Sequence, residues 1–325
     1  MISIKRIILA LLILLSLLLL ASCVAERQNG DPSVLPNGQS PSAPSSPSAP
    51  SSPSAQPTTD ENDDGWRIRV TNKEGEELWS FTEAALRKLS DEHEHEQALN
   101  FEHAYSTINN WPSVRFYAAE GYSVEGILSA AGILEAALTV TFRAEDGYEV
   151  SLTREQLLSE QFFFPNSDES DAGAQRVTPI IAYRWREGTT DLGEVYESKP
   201  MLIFGQRTLF EQTNPAFVIG VSEIIVDSAP SGRWPAAGTF PLDGPIAEGE
   251  TVKLQHPSFG LVKLHYTLDG SDPTPLSPMY NPSTFRPELT VPITITGPTT
   301  IKVLATGYGM NDSEIAVFEF WTAMG

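Results

Sequence analysis

The sequence predicts a mixed α+β domain followed by an all-β sandwich, both carried behind a cleavable leader and a disordered linker. Three observations lead there. Between about residues 64 and 230, apolar residues recur with strand period in some segments and helical period in others, without a regular βαβ alternation. From about 240 to 325, short alternating runs follow one another between turn residues, with no helical pattern. Residues 24–60 are dominated by Pro, Ser and Ala and carry almost no large apolar side chain. The 325 residues suffice for two domains beyond a targeting segment.

At the N-terminus, Lys5 and Arg6 precede an apolar run over residues 7–20 that ends in Leu20-Ala21-Ser22-Cys23. A basic start, an apolar run and small residues before a cut describe a secretory signal peptide over residues 1–22. The run is short for a membrane span, the other reading of such a stretch. Leu-Ala-Ser-Cys resembles the lipobox of bacterial lipoproteins, in which the cysteine is lipidated and becomes the mature N-terminus. The resemblance implies lipidation of Cys23, a membrane partner reached through that anchor, and a place on the extracellular face of the bacterial cell membrane. The chain has one cysteine. Lipidation therefore leaves no thiol for a disulfide, a metal or nucleophilic catalysis. Each buried methylene of an acyl chain contributes roughly 0.8 kcal/mol, and two or more chains make a stable anchor.

Residues 23–63 include PSAPSSPSAPSSPSAQP. Such a segment buries too little surface to offset its ordering entropy, so an extended, disordered tether is expected. Its PxxP-like spacings follow from composition alone. The chain carries 21 basic against 42 acidic residues, a net charge of −21. This balance argues against nucleic acid or anionic lipid as a surface partner and favours simple solubility.

In the first domain, Trp66-Arg67-Ile68-Arg69-Val70 alternates like a strand, and residues 72–75 offer a turn. Ser80 and Glu83 form a capping-box pattern before a short amphipathic helix with Ala84, Ala85, Leu86 and Leu89. His93 and His95, with His103 further on, are imidazoles that can bind metal. No fixed element brings the three rings together, and an acidic solvated loop is expected. Leu99, Phe101, His103 and Tyr105 have the period of a half-buried strand, followed by a polar segment over residues 106–112. Ser123 then caps a short helix with Val124, Ile127, Leu128 and Ala131 on one face and Gly132 as its stop. Residues 139–143 and 148–152 alternate about Asp146-Gly147, a hairpin turn. Thr153 and Gln156 make a second capping box. Phe162-Phe163-Phe164 reads as core, residues 166–174 as a surface loop, and residues 180–183, 201–204 and 223–226 as later strands.

The order strand, polar segment, helix after Gly121-Tyr122, then Asp146-Gly147-Tyr148 between strands and the closing Lys199-Pro200-Met201-Leu202-Ile203-Phe204-Gly205 resembles the molybdopterin-binding domain of the sulfite oxidase family over roughly residues 79–227. In that family a strand delivers a cysteine to molybdenum. No cysteine stands at or near Tyr105-Ser106-Thr107, where the ligand would fall, and an apolar residue replaces the arginine of the closing pattern. The resemblance thus implies a degenerate domain without the soft metal ligand and without one anion anchor. In the resembling fold, residues 106–111 and the segments Gln206-Arg207-Thr208 and Glu211-Gln212-Thr213-Asn214-Pro215 would border the former cofactor cleft. Asn110, Trp111, Arg207 and Asn214 are the candidate ligand-binding residues: amides, a charge that favours an anion and an aromatic platform. The two asparagines are equally suited to satisfying loop backbone. No catalytic residue and no metal ligand is assigned.

In the second domain, after the breaker-rich residues 228–235, residues 251–254, 262–267, 300–305 and 315–320 read as strands. Tyr266-Thr267-Leu268-Asp269-Gly270-Ser271-Asp272-Pro273-Thr274 resembles the signature of the chitobiase/β-hexosaminidase C-terminal domain, an accessory immunoglobulin-like module. Asp269 and Asp272 are expected to build the turn rather than to bind calcium. The expected fold is therefore an α+β sulfite-oxidase-like domain (64–230) plus an all-β immunoglobulin-like sandwich (240–325), after a signal peptide and disordered linker. The expected function is non-catalytic binding, adhesion or scaffolding at the cell envelope. Its partners would be the membrane, through the lipid anchor, and cell-wall or extracellular polysaccharide. No cofactor is expected. The alternative is a molybdopterin-dependent oxidoreductase with a non-cysteine ligand set.

Overall fold

The computed structural model describes residues 65–92, 99–167 and 169–322. The signal peptide, Cys23, the tether and the His93/His95 pair lie outside them. The described residues all fall within one compact unit, Ala55–Gly325, which holds two separate apolar cores.

The first module contains β1 (Arg67–Asn72), β2 (Glu77–Thr82), α1 (Glu83–Glu92), β3 (Asn100–Ile108), β4 (Val114–Ser123) and α2 (Val124–Ala130). It continues with β5 (Thr139–Ala144), β6 (Glu149–Thr153), α3 (Arg154–Leu158), β7 (Gln161–Phe163), β8 (Gln175–Val177), β9 (Ile180–Glu187), β10 (Tyr196–Ile203), β11 (Val218–Ile219) and β12 (Val221–Asp227). The module is predominantly β, with helix confined to three short segments. Two five-stranded sheets, in the orders β2-β1-β12-β5-β6 and β11-β10-β9-β4-β3, bound one core. Ile68, Val70, Phe142 and Ile224 enter it from the first sheet, and Tyr105, Tyr122, Ile181 and Leu202 from the second. The first sheet is antiparallel except that β1 and β12 run parallel.

Local chemistry explains most boundaries. Along β5 alternate residues are buried, as the pattern predicts, and Gly147 closes the hairpin at φ +88°. The Ser123 hydroxyl accepts from the Gly126 amide at 3.1 Å and caps α2, whose Val124, Ile127 and Leu128 are buried. The Thr153/Gln156 capping box forms with both of its reciprocal bonds.

Three local expectations change. Ser80 does not cap α1: it lies in β2, where it accepts from Arg67 Nη2 at 2.6 Å. Thr82 supplies the cap, accepting from the Ala85 amide at 3.3 Å. Residues 106–108 continue β3 rather than forming a polar loop, since their hydroxyls find partners inside the module. The whole of β4 was hidden from periodicity, because Tyr117 to Ser123 are buried on both faces and the two-residue alternation vanishes.

The second module is an all-β, immunoglobulin-like sandwich. Its strands are β13 (Gly238–Phe240), β14 (Gly244–Ile246), β15 (Thr251–Gln255), β16 (Val262–Thr267), β17 (Ile293–Thr294), β18 (Thr299–Gly307) and β19 (Ala316–Thr322). They form sheets ordered β13-β15-β17 and β14-β19-β18-β16, closed over Val252, Leu254, Leu264, Ile301, Val303 and Phe320. Asp269 Oδ1 accepts from the amide and hydroxyl of Ser271 at 3.0 and 2.6 Å, with Gly270 at φ +81°. Asp272 pairs with Lys302 at 2.7 Å. Asp269 thus builds the turn, while Asp272 is held by an ion pair to β18.

Candidate functional site

The two modules are joined by specific contacts, and a cleft of about 260 Å³ lies between them. Gln156, already fixed by its capping box, donates from Nε2 to the carbonyls of Gly307 and Met310 at 2.7 and 3.1 Å. Its Oε1 accepts from the Gly309 amide at 2.9 Å. Tyr308 packs edge-on against Phe204 of the first core, ring centroids 5.7 Å apart. At the far side Asn110 accepts at Oδ1 from the Thr284 amide, and its carbonyl accepts from Ser283 Oγ at 2.6 Å.

One wall of the cleft is the loop after β10. Gly205 starts it where backbones nearly touch: a Cβ there would stand 2.5 Å from Val177 Cγ2 and 2.9 Å from the Phe162 backbone. Gln206, fully buried, then organises the loop. Its Oε1 accepts from Ser106 Oγ at 2.6 Å, and its Nε2 donates to the carbonyls of Leu209 and Glu211 at 2.9 and 3.1 Å. This sets Glu211 to accept from Arg207 N, Nε and Nη2 at 2.6, 2.9 and 2.5 Å, and from Tyr308 Oη at 3.0 Å. The guanidinium also lies 5.9 Å from the centre of the Tyr308 ring. Burial disfavours the Arg207 charge, but the Glu211 carboxylate more than offsets this and holds its pKa above the ordinary value.

The opposite wall is β16 and β18. Lys263 opposes Thr306 in the antiparallel register, so Lys263, His265, Thr306 and Tyr308 alternate toward the cleft. Lys263 donates to the Asn281 carbonyl at 3.3 Å, and burial lowers its pKa to about 8. Burial likewise pushes the His265 imidazole down, the Tyr308 hydroxyl up and the Asp312 carboxyl up. Phe210, Pro215, Leu261 and Met279 complete an apolar lining.

Of the four residues expected to form a site, Asn110 and Arg207 line this cleft together. Trp111 follows Asn110 but stands outside the lining, 56% exposed, beside Phe285 at 6.5 Å and under Arg286 at 5.9 Å. Asn214 also lies outside it; its amide donates to Tyr117 Oη at 3.1 Å. Arg207, expected to be a free anion anchor, is spent on Glu211. Lys263 and Tyr308 were missed by sequence reasoning. Residues 262–267 read only as a strand, and nothing local in them signals that the first module faces Lys263.

His265 Nδ1 is engaged with the Ser277 carbonyl at 3.0 Å. Among the described residues, no group of three or more His, Cys, Asp or Glu is arranged to hold a metal ion. Where the sulfite-oxidase resemblance would put the molybdenum thiolate, the donors are hydroxyls already satisfied by protein. Tyr105 Oη donates to the Thr178 carbonyl at 2.6 Å, and Ser106 Oγ accepts from the Phe164 amide at 2.8 Å. Thr107 Oγ1 accepts from Thr213 Oγ1 at 2.6 Å. These hydroxyls are engaged with protein partners, and no thiolate stands among them to serve as the metal ligand of the resembling family. In a second depression, on β4 and β9, Glu120 accepts from Tyr183 and, at 2.5 Å, from Arg184.

Residues 241–317 match the family model of the chitobiase/beta-hexosaminidase C-terminal domain, so the second module is similar to that family. No curated protein matches the chain.

Proposed function

We propose that this protein is a membrane-anchored cell-surface lipoprotein that binds a ligand without turning it over. The cleft between the modules carries the reading. Its walls come from both modules, its surface is mostly apolar, and Glu211 and His265 are engaged with Arg207, Tyr308 and the Ser277 carbonyl rather than paired as base with a nucleophile. Lipidated Cys23 supplies the membrane partner, and residues 23–63 act as the tether that holds the folded part clear of it.

The first module is read as a degenerate sulfite-oxidase-like domain. Its support is the order of β3, the Ser123-capped helix α2 and the closing strands β10 and β12. The saturated hydroxyls at Tyr105-Ser106-Thr107 suit a scaffold that has kept its frame and lost its chemistry. Cell-wall or extracellular polysaccharide is the proposed ligand source, in keeping with the similarity of residues 241–317 to an accessory domain of glycan-processing enzymes.

The test has two arms. Cys23→Ser should abolish acylation and release the protein from the membrane fraction; a variant still processed and membrane-bound removes the anchor. Thermal-shift screening of cell-wall and extracellular polysaccharide fragments should find one that stabilises the protein and is recovered unchanged. Recovery of a chemically altered fragment defeats the binding reading.

A further inference from the structure

We propose that the cleft takes a sugar acid, a single hydroxylated ring bearing a carboxylate, and that Lys263 is the cation that receives the carboxylate. The inference rests on the binding reading above and names its ligand class.

Two cations line the cleft, and they differ in what they have left to offer. Arg207 donates from Nε and Nη2 to Glu211, which neutralises its charge, and turns its face to Tyr308. Lys263 has a single long bond to a neutral carbonyl, and among the described residues no carboxylate lies within ion-pair distance of it. In a chain with 42 acidic residues, a half-buried ammonium left without a counter-charge is unusual. Holding it among Phe210, Leu261 and Met279 costs free energy that an anion entering the cleft recovers.

The other charged or titratable groups of the lining do not compete. Glu211 is committed to Arg207 and Tyr308. Burial pushes the pKa of the His265 imidazole down and those of Tyr308 and Asp312 up, and the Asp312 carboxyl feels the Arg207 guanidinium as its counter-charge. The uncommitted cation of the lining is therefore Lys263.

The body of the ligand follows from size and from the polar side chains of the lining. A dry cavity of about 150 Å³ accommodates benzene, so the cleft's 260 Å³ suits one ring with substituents rather than a chain. Thr208 and Thr306 of the same lining carry hydroxyls that can meet those of a sugar ring.

The experiment titrates the full chain in detergent with glucuronate and with glucose, at about pH 6.5 and about pH 9.5, by calorimetry. Glucuronate should bind more tightly than glucose at the lower pH and lose roughly tenfold or more at the higher, as Lys263 gives up its proton. Lys263→Met should remove the preference for glucuronate at both values. Lys263→Arg, which stays charged, should keep the preference and abolish its pH dependence. Equal binding of the two sugars, unchanged in Lys263→Met, overturns the carboxylate assignment and leaves the binding reading standing. Binding of neither sugar to the wild type overturns the ligand class, and the fragment screen above then decides the binding reading by itself.

Discussion

Replacing Lys263 by Met should make the unliganded protein more stable at neutral pH, and by an amount that depends on pH. The ammonium's pKa falls from an ordinary 10.5 to about 8 because burial penalises its charged form. Below pH 8 the lysine is protonated in both the folded and unfolded states, and the folded state bears the whole cost. Between pH 8 and 10.5 the folded protein releases the proton first. The unfolded chain then binds more protons, and wild-type stability rises with pH. Above 10.5 the cost is gone. That span corresponds to about 3 kcal/mol at most. Methionine keeps the apolar stem but loses the 3.3 Å bond to Asn281, a loss of about 1 kcal/mol. Lys263→Met should therefore gain roughly 2 kcal/mol at pH 7 and fall slightly below wild type near pH 11. Urea unfolding at about pH 7, 9 and 10.5 reads this directly. A variant that is less stable at pH 7, or whose margin over wild type does not shrink as pH rises, would refute the account of Lys263 as a buried, unpaired charge.

Three further outcomes follow from the same cleft. Glu211→Gln leaves the Arg207 guanidinium without its counter-charge and should destabilise by about 1–3 kcal/mol, discounted because a third of the arginine side chain meets solvent; unchanged urea unfolding would show the pair to be dispensable. Gln156→Ala removes a helix cap and the bonds to residues 307, 309 and 310, so it should cost about 2–3 kcal/mol and split one calorimetric transition into two. A single transition at the wild-type temperature would mean that the modules are coupled elsewhere. Gly205→Ala drives a methyl into the Phe162 backbone and should cost about 1–3 kcal/mol with loss of the Gln206 loop, read as faster amide exchange at residues 206–211. Exchange that stays slow would sink that role for the glycine.

What was readable in the chain was what short-range chemistry dictates. The Thr153/Gln156 box, the Ser123 cap, the Asp146-Gly147 hairpin and the Asp269-Gly270 turn each depend on residues a few positions apart, and each forms as expected. Where burial comes from both sides, the signal fails. Tyr117 to Ser123 lose their alternation because neighbours cover both faces, and Ser106 and Thr107 look like loop until Gln206 and Thr213, about a hundred residues away, are known to bond them. The site failed for the same reason on a larger scale. Arg207 was visible as a charge, but its neutralisation by Glu211 and Tyr308 depends on a loop fold and on a residue of the other module. Lys263 became a candidate only once its strand was seen to face the first module.

The parallel pairing of β1 with β12 has a mechanical consequence. The chain enters the first module at the start of β1 and leaves it for the second at the end of β12. Because the strands run in the same direction, these points lie at opposite ends of the pair. Tension applied between the N-terminal side of β1 and the second module would load the pairs Arg69↔Glu223 to Asn72↔Val226 lengthwise and together, rather than peeling them one by one. Side by side, the bonds share the load and must fail in concert, which slows forced unfolding. The short ladder at the middle of the first sheet would thus act as a shear-loaded buckle in the line of pull, suited to a protein that holds on at both ends.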